Sequence, residues 1–214
     1  MENVKPIPDL SAEEQRVLGS LIEKSRTTPD YYPMTLNGLT AACNQKSSRN
    51  PVVNYDEETV TLTLNQLKIK GLISTATGGS SRATKYKHNL AIVYPLVPSE
   101  LAIICLLLLR GPLTPGEINS NSGRLYEFES IEEVSEQLQK LAEAEPAFVK
   151  QLPKKTGQKE ARFIHLLGEQ VEETFETAAE KTTNQSNEEL ENRVAKLEQE
   201  LEDLKELVNL LMNK

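Results

Sequence analysis

Apolar residues along this chain fall mostly at spacings of three and four, with short stretches of strand-like sequence between. Val17, Leu18, Leu21 and Ile22 share one side of a helix. Ser11 and Glu14 supply the Ser-x-x-Glu box that starts it, and Thr27-Thr28-Pro29 ends it. Leu36, Leu39, Ala42 and Cys43 predict a short second helix. Asp56 caps a third, whose stripe is Val60, Leu64 and Leu67 and whose stop is Gly71. Leu72 to Ala76 then predicts a strand, Gly78-Gly79 a turn, and Ala83 to Lys87 a returning strand.

The same order follows a second time. Ser99 opens a helix through Leu109, and Thr114-Pro115 takes the place of Thr28-Pro29 before a short helix around Glu117 and Ile118. Ser130 and Glu133 form another box ahead of Val134, Leu138 and Leu141, which repeat the spacing of Val60, Leu64 and Leu67. Phe148–Leu152 and Ala161–Leu166 are two strands flanking Lys154-Lys155-Thr156-Gly157. Three helices followed by a β-hairpin is the winged-helix variant of the helix-turn-helix. The expected fold is therefore mainly α with small β-hairpins (α+β). Two tandem winged-helix domains, residues 1–95 and 96–168, precede an acidic linker, 169–187, and a coiled-coil helix, 188–214.

That last helix shows the most regular pattern. Leu190, Val194, Leu197, Leu201, Leu204, Val208 and Leu211 alternate spacings of four and three. Leucine at d and mainly β-branched residues at a favour a parallel dimer. Arg193 would then meet Glu198 of a second copy, and Glu200 would meet Lys205. The alternative is a helix folded back on its own domain. Thr182 to Asn187 is a polar hinge upstream.

Two runs, Thr28 to Asn37 (TPDYYPMTLN) and Ala42 to Val52 (ACNQKSSRNPV), closely resemble the bacterial YceH family, as do Thr84-Lys85-Tyr86, Leu107 to Gly111 and Thr114 to Glu117. The resemblance covers residues 10–167. It implies a tandem winged-helix protein of the bacterial cytosol within an uncharacterised family, and it supplies no substrate, partner or catalytic residue.

Composition narrows the function. Nine residues, Leu101 to Leu109, make the longest apolar run, against roughly 20 for a membrane span. The N-terminus lacks a signal-peptide apolar region. A cytoplasmic protein without a membrane partner is expected. Cys43 and Cys105 stand 62 residues apart, and His88 and His165 are equally scattered, so neither a disulfide framework nor a metal site is expected. No phosphate loop or nucleophile elbow occurs. No enzyme activity, catalytic residue or cofactor is expected. Net charge is −8, but residues 1–168 hold 19 basic and 19 acidic side chains, while residues 169–214 hold 5 and 13. The body is neutral and the tail carries the excess.

Within the body, cations gather locally. The acid-free stretch between the second and third helices holds Asn44, Gln45, Lys46 and Arg49, donors suited to phosphate or base edges; a compact loop whose amides bond its own backbone is the alternative. Arg82, Lys85, Lys87 and His88 make the first wing cationic, and Lys150, Lys154, Lys155, Lys159 and Arg162 the second. Lysines also guard edge strands from pairing. Thr61, Asn65 and Lys68 share a face of the third helix, although its first turn, Asp56-Glu57-Glu58, would repel a phosphate-lined groove. The third helix of the second half, with Glu132, Glu133, Glu136 and Glu143, suits a protein partner better. The sequence thus points to a dimeric, DNA-associated regulator, with a protein–protein adaptor as the alternative.

Overall fold

The computed structural model describes residues 6–76, 83–154 and 160–168. The capping box at Ser11 forms in full: its hydroxyl accepts the Glu14 N–H at 3.3 Å, and the Glu14 carboxylate accepts the Ser11 N–H at 2.8 Å. It opens α1 (Ala12–Thr27). A 3-10 turn, Pro29–Tyr31, and a two-residue strand β1 (Met34–Thr35) follow. The Thr35 hydroxyl caps α2 (Leu36–Cys43) by accepting from the Gly38 N–H, and Asp56 caps α3 (Glu57–Ile69). Gly71 takes φ +75° just beyond α3, a left-handed conformation that an L side chain would resist. Strands β2 (Ile73–Ala76) and β3 (Lys85–His88) and a single turn α4 (Leu90–Val93) complete the first half.

The second half runs α5 (Pro98–Arg110), α6 (Pro115–Ser122), α7 (Ile131–Glu143), β4 (Val149–Gln151) and β5 (Phe163–His165). Helix α5 starts a residue earlier than Ser99 suggests, because Pro98 takes the first helical position, where its missing N–H costs nothing. The Ser130 box forms only by half. Ser130 caps the Glu133 N–H, but the Glu133 carboxylate turns to the Glu129 N–H at 2.8 Å.

The chain is a mixed α+β protein with two small antiparallel sheets among the described residues, ordered β1-β3-β2 and β4-β5. Met34 pairs with Tyr86 and Thr35 with Lys85. In the second half, Leu113 bridges Phe163 in the same way. These contacts correct the repeat alignment. Thr114 caps α6 as Thr35 caps α2, so Thr114 corresponds to Thr35, and Thr28-Pro29 opens a turn for which the second half has no counterpart.

The two halves share one hydrophobic core. Helix α1 packs on α2 and α3 and also on α5. The helices approach closely at Gly19, where an added Cβ would lie 2.9 Å from Leu109 Cδ2 and 3.2 Å from Leu108 Cβ. Cys105 Sγ donates to the Gly19 carbonyl at 3.4 Å. Helix α5 touches α1 on one side and α6, α7 and β5 on the others, which explains why every residue from Leu101 to Leu109 is buried. Among the described residues, no helix is long and apolar enough to cross a membrane. The Gly78-Gly79 turn, Arg82, Lys155, Lys159, the hinge, the acidic linker and the heptad residues Leu190, Val194, Leu197, Leu201, Leu204, Val208 and Leu211 lie outside the described residues.

Candidate nucleic-acid interface

The acid-free loop after α2 works inward, not outward. Arg49, expected at a phosphate, is instead buried, with its side chain at 0% exposure. Its guanidinium clasps Glu23 of α1 through two bonds, 2.7 and 3.0 Å, and donates to the carbonyls of Ala42 and Ser48 and to the Gln45 side chain. The bidentate pair and these further bonds together engage every guanidinium N–H and leave no donor for a ligand. Asn44 is likewise structural: it accepts from the Tyr55 N–H at 2.8 Å and donates to the Tyr55 carbonyl at 2.7 Å, bonding one residue from both sides. The Gln45 side-chain oxygen accepts from Lys24 and Arg49. Asn50 ties the loop to the end of α5, donating from its backbone to the Leu109 carbonyl at 2.8 Å. Lys46 alone of the four expected loop contacts is exposed with no bond to a described residue.

Sequence reasoning missed Arg16. Its guanidinium, also buried, donates to the Cys43 carbonyl at 3.3 Å and the Pro51 carbonyl at 2.5 Å. Together Arg16 and Arg49 satisfy the last carbonyls of α2, where the helix dipole favours positive charge. Burial lowers the Arg16 pKa, and the nearby Arg49 lowers it further. For Glu23, burial pushes upward, but Arg49 and Lys24 outweigh it and hold the carboxyl below its usual range. One signal was present in the sequence. Arg16, Ser20 and Glu23 recur at helical spacing beside apolar residues, a polar stripe that needed a buried partner.

Strand β3 sorts its residues by alternation. Tyr86 packs against the core and His88 faces inward, where Nε2 meets Ser25 Oγ at 3.3 Å and the backbone N–H donates to the Tyr32 hydroxyl. Burial, aided by Arg26, lowers the His88 pKa to about 4. His88 is therefore neutral near pH 7 and adds nothing to a cationic wing, contrary to expectation. Lys85 and Lys87 lie on the opposite face, across from Ala76, Thr35 and Ser74. That face carries two lysines and no carboxylate among the paired residues.

On α3, Asn65 and Lys68 are exposed, and the half-buried Thr61 spends its hydroxyl on the Glu57 carbonyl at 2.7 Å. Leu62 and Ile69 share this outer side at 61% and 80% exposure. Asn37 reaches Glu57 at 3.4 Å, so the acidic first turn of α3 sits beside the first turn of α2. Lys85 also adjoins that end, opposite Thr35, whereas Lys46 follows the other end. Eight residues of helix, about 12 Å, separate them. Folding thus brings Lys85 and Lys87 together, and Asn65 and Lys68 together, but does not gather Lys46 and Arg49 with the hairpin. In the second half, Arg162 is only half-buried but its guanidinium is engaged, paired with Glu117 at 2.7 and 2.8 Å and donating to the Pro112 carbonyl.

Lys46 belongs to a different feature. A cleft of about 420 Å³ opens between the end of α1, the 45–48 loop, the end of α5 and the residues after α6. Lys24, Lys46, Arg110 and Arg124 line it against a single carboxylate, Glu23.

Residues 10–158 match the model of a family described as "Protein of unknown function, DUF480". A UPF0502 protein of Shewanella loihica is 45% identical over 212 residues, spanning 96% of this chain and 99% of the relative. One from Opitutus terrae is 49% identical over 168 residues, 78% of this chain and 73% of its own. One from Koribacter versatilis is 49% identical over 158 residues, 74% and 73%. With a match over most of its length and relatives this similar end to end, the chain belongs to the DUF480 (UPF0502) family of bacterial proteins.

Proposed function

We propose that this protein is a non-catalytic, DNA-associated regulator of the bacterial cytoplasm. In this reading it is built from two winged-helix repeats, belongs to the YceH branch of its family, and dimerises through its C-terminal heptads. The order helix–strand–helix–helix–hairpin with strands β1-β3-β2 supports the winged-helix reading. The observation that carries DNA contact is the outer face of the first sheet, where Lys85 and Lys87 stand side by side without a facing acid. Lysines so placed attract phosphates by charge and confer salt-dependent rather than sequence-specific affinity. Asn65 and Lys68 offer a second exposed polar pair on α3.

The test is fluorescence anisotropy with a mixed-sequence duplex at low and moderate salt. Binding at low salt should weaken steeply as salt rises, and Lys85→Ala with Lys87→Ala should weaken it further. No binding at low salt overturns the proposal.

A second reading, a protein–protein adaptor, is favoured by α3 itself. Its exposed Leu62 and Ile69 flank Asn65, and its first turn is acidic. Partners retained after nuclease treatment of a lysate, and lost on Ile69→Glu, would favour the adaptor.

A further inference from the structure

The cleft between the two halves has chemistry that the duplex reading does not use. Its acid, Glu23, is already spent: Arg49 holds both oxygens and Lys24 approaches at 3.0 Å. The four basic side chains around the opening therefore face no free counter-charge. Lys46 and Arg124 bond to no described residue, and Arg110 donates only to the Ser48 hydroxyl at 2.9 Å. The Gln45 oxygen accepts from two cations, which leaves its amide N–H groups to donate. The carbonyls that would otherwise oppose an anion at the end of α5 are occupied, Leu109 by the Asn50 backbone N–H and Arg110 by the Asn50 side chain. Ser48, at φ +60°, is the one described non-glycine residue in the left-handed region. It is held there by Arg49 at its carbonyl and Arg110 at its hydroxyl, and strain so over-determined clusters at ligand sites.

We infer that this cleft binds a small organic phosphate of up to about mononucleotide size, with the unbonded Lys46 and Arg124 as its charge clamp and the hydrogen-bonded Lys24 and Arg110 as its wall. The volume lies within the range of small-ligand sites. Guanidinium forks and lysine point charges are the groups that recognise phosphate oxygens. Both halves of the molecule contribute walls, so an occupant would bridge the α1–α5 junction. The site is separate from Lys85 and Lys87 and does not depend on duplex binding.

Isothermal titration of the full chain with inorganic pyrophosphate, and with AMP, tests this at constant ionic strength. Saturable binding is expected for both, weakened at least tenfold by Lys46→Ala with Arg124→Ala and unchanged by Lys85→Ala with Lys87→Ala. Melting curves should show both double variants folded, since none of the four side chains is buried. Absence of saturable binding, equal binding to sulfate at matched ionic strength, or indifference to the Lys46 and Arg124 changes would overturn the inference. So would a parallel loss of duplex affinity in the Lys46 and Arg124 variant, which would make the cleft part of a polynucleotide surface.

Discussion

Arg49→Met separates the inward role of the loop from the outward one that its sequence suggests. The change removes both bonds to Glu23 and those to the Ala42, Ser48 and Gln45 oxygens. What remains is a carboxylate at 13% exposure with Lys24 as its ion-pair partner, together with carbonyls at the end of α2 that lose their donor. Breaking one side of a buried pair costs about 3–5 kcal/mol where the remaining charge is left alone, and Lys24, still beside Glu23, holds the loss there to the lower part of that range. The carbonyl penalties overlap with that figure, so about 4 kcal/mol is expected. At roughly 2–4 °C per kcal/mol for a domain of this size, the melting temperature should fall by about 8–16 °C. Circular dichroism melts give that number directly. Glu23→Leu combined with Arg49→Met should be less damaging than Arg49→Met alone, since the buried carboxylate is then gone and Lys24 keeps its bond to the Gln45 oxygen. If Arg49→Met melts within about 2 °C of the parent and instead loses duplex affinity, the guanidinium is a phosphate contact and the buried clasp is wrong.

At the α1–α5 crossing, Gly19→Ala gains about 1 kcal/mol of helix propensity but places a methyl against Leu108 and Leu109, and such overpacking costs about 1–3 kcal/mol. A net loss of about 1 kcal/mol in urea titration, and a larger one for Gly19→Leu, is expected; a stabilised Gly19→Ala would mean that the helices do not approach this closely. Burial lowers His88 and His165 to about 4. The unfolded chain therefore takes up these protons first, and stability should be full above about pH 6.5 and fall as pH drops toward 4, by up to about 3 kcal/mol per histidine. Glu23 and Glu117, both held below their ordinary range, extend the loss to lower pH. A melting temperature that stays level from pH 7 to 4.5 would refute this. Truncation after Asn187 should turn a dimer into a monomer by light scattering, and a full chain already monomeric at tens of micromolar (on the order of 10 μM or more) would remove the heptad reading.

Sequence alone determined the features governed by neighbours in the chain. The caps at Ser11, Asp56 and Ser130, the stop at Gly71 and the stripes of α3 and α7 depend on residues within a turn or two of each other, so their spacing is sufficient. Only the tertiary structure decided what distant segments do to one another. Strand β1 is two residues long and exists because Met34 and Thr35 lie beside β3, some fifty residues later. The alignment of the repeats changed for the same reason. Arg49 and Lys46 stand three residues apart and look equally cationic in the sequence. Whether a charge faces water or a buried carboxylate depends on what packs over it, here Glu23 of α1, and local spacing carries no record of that.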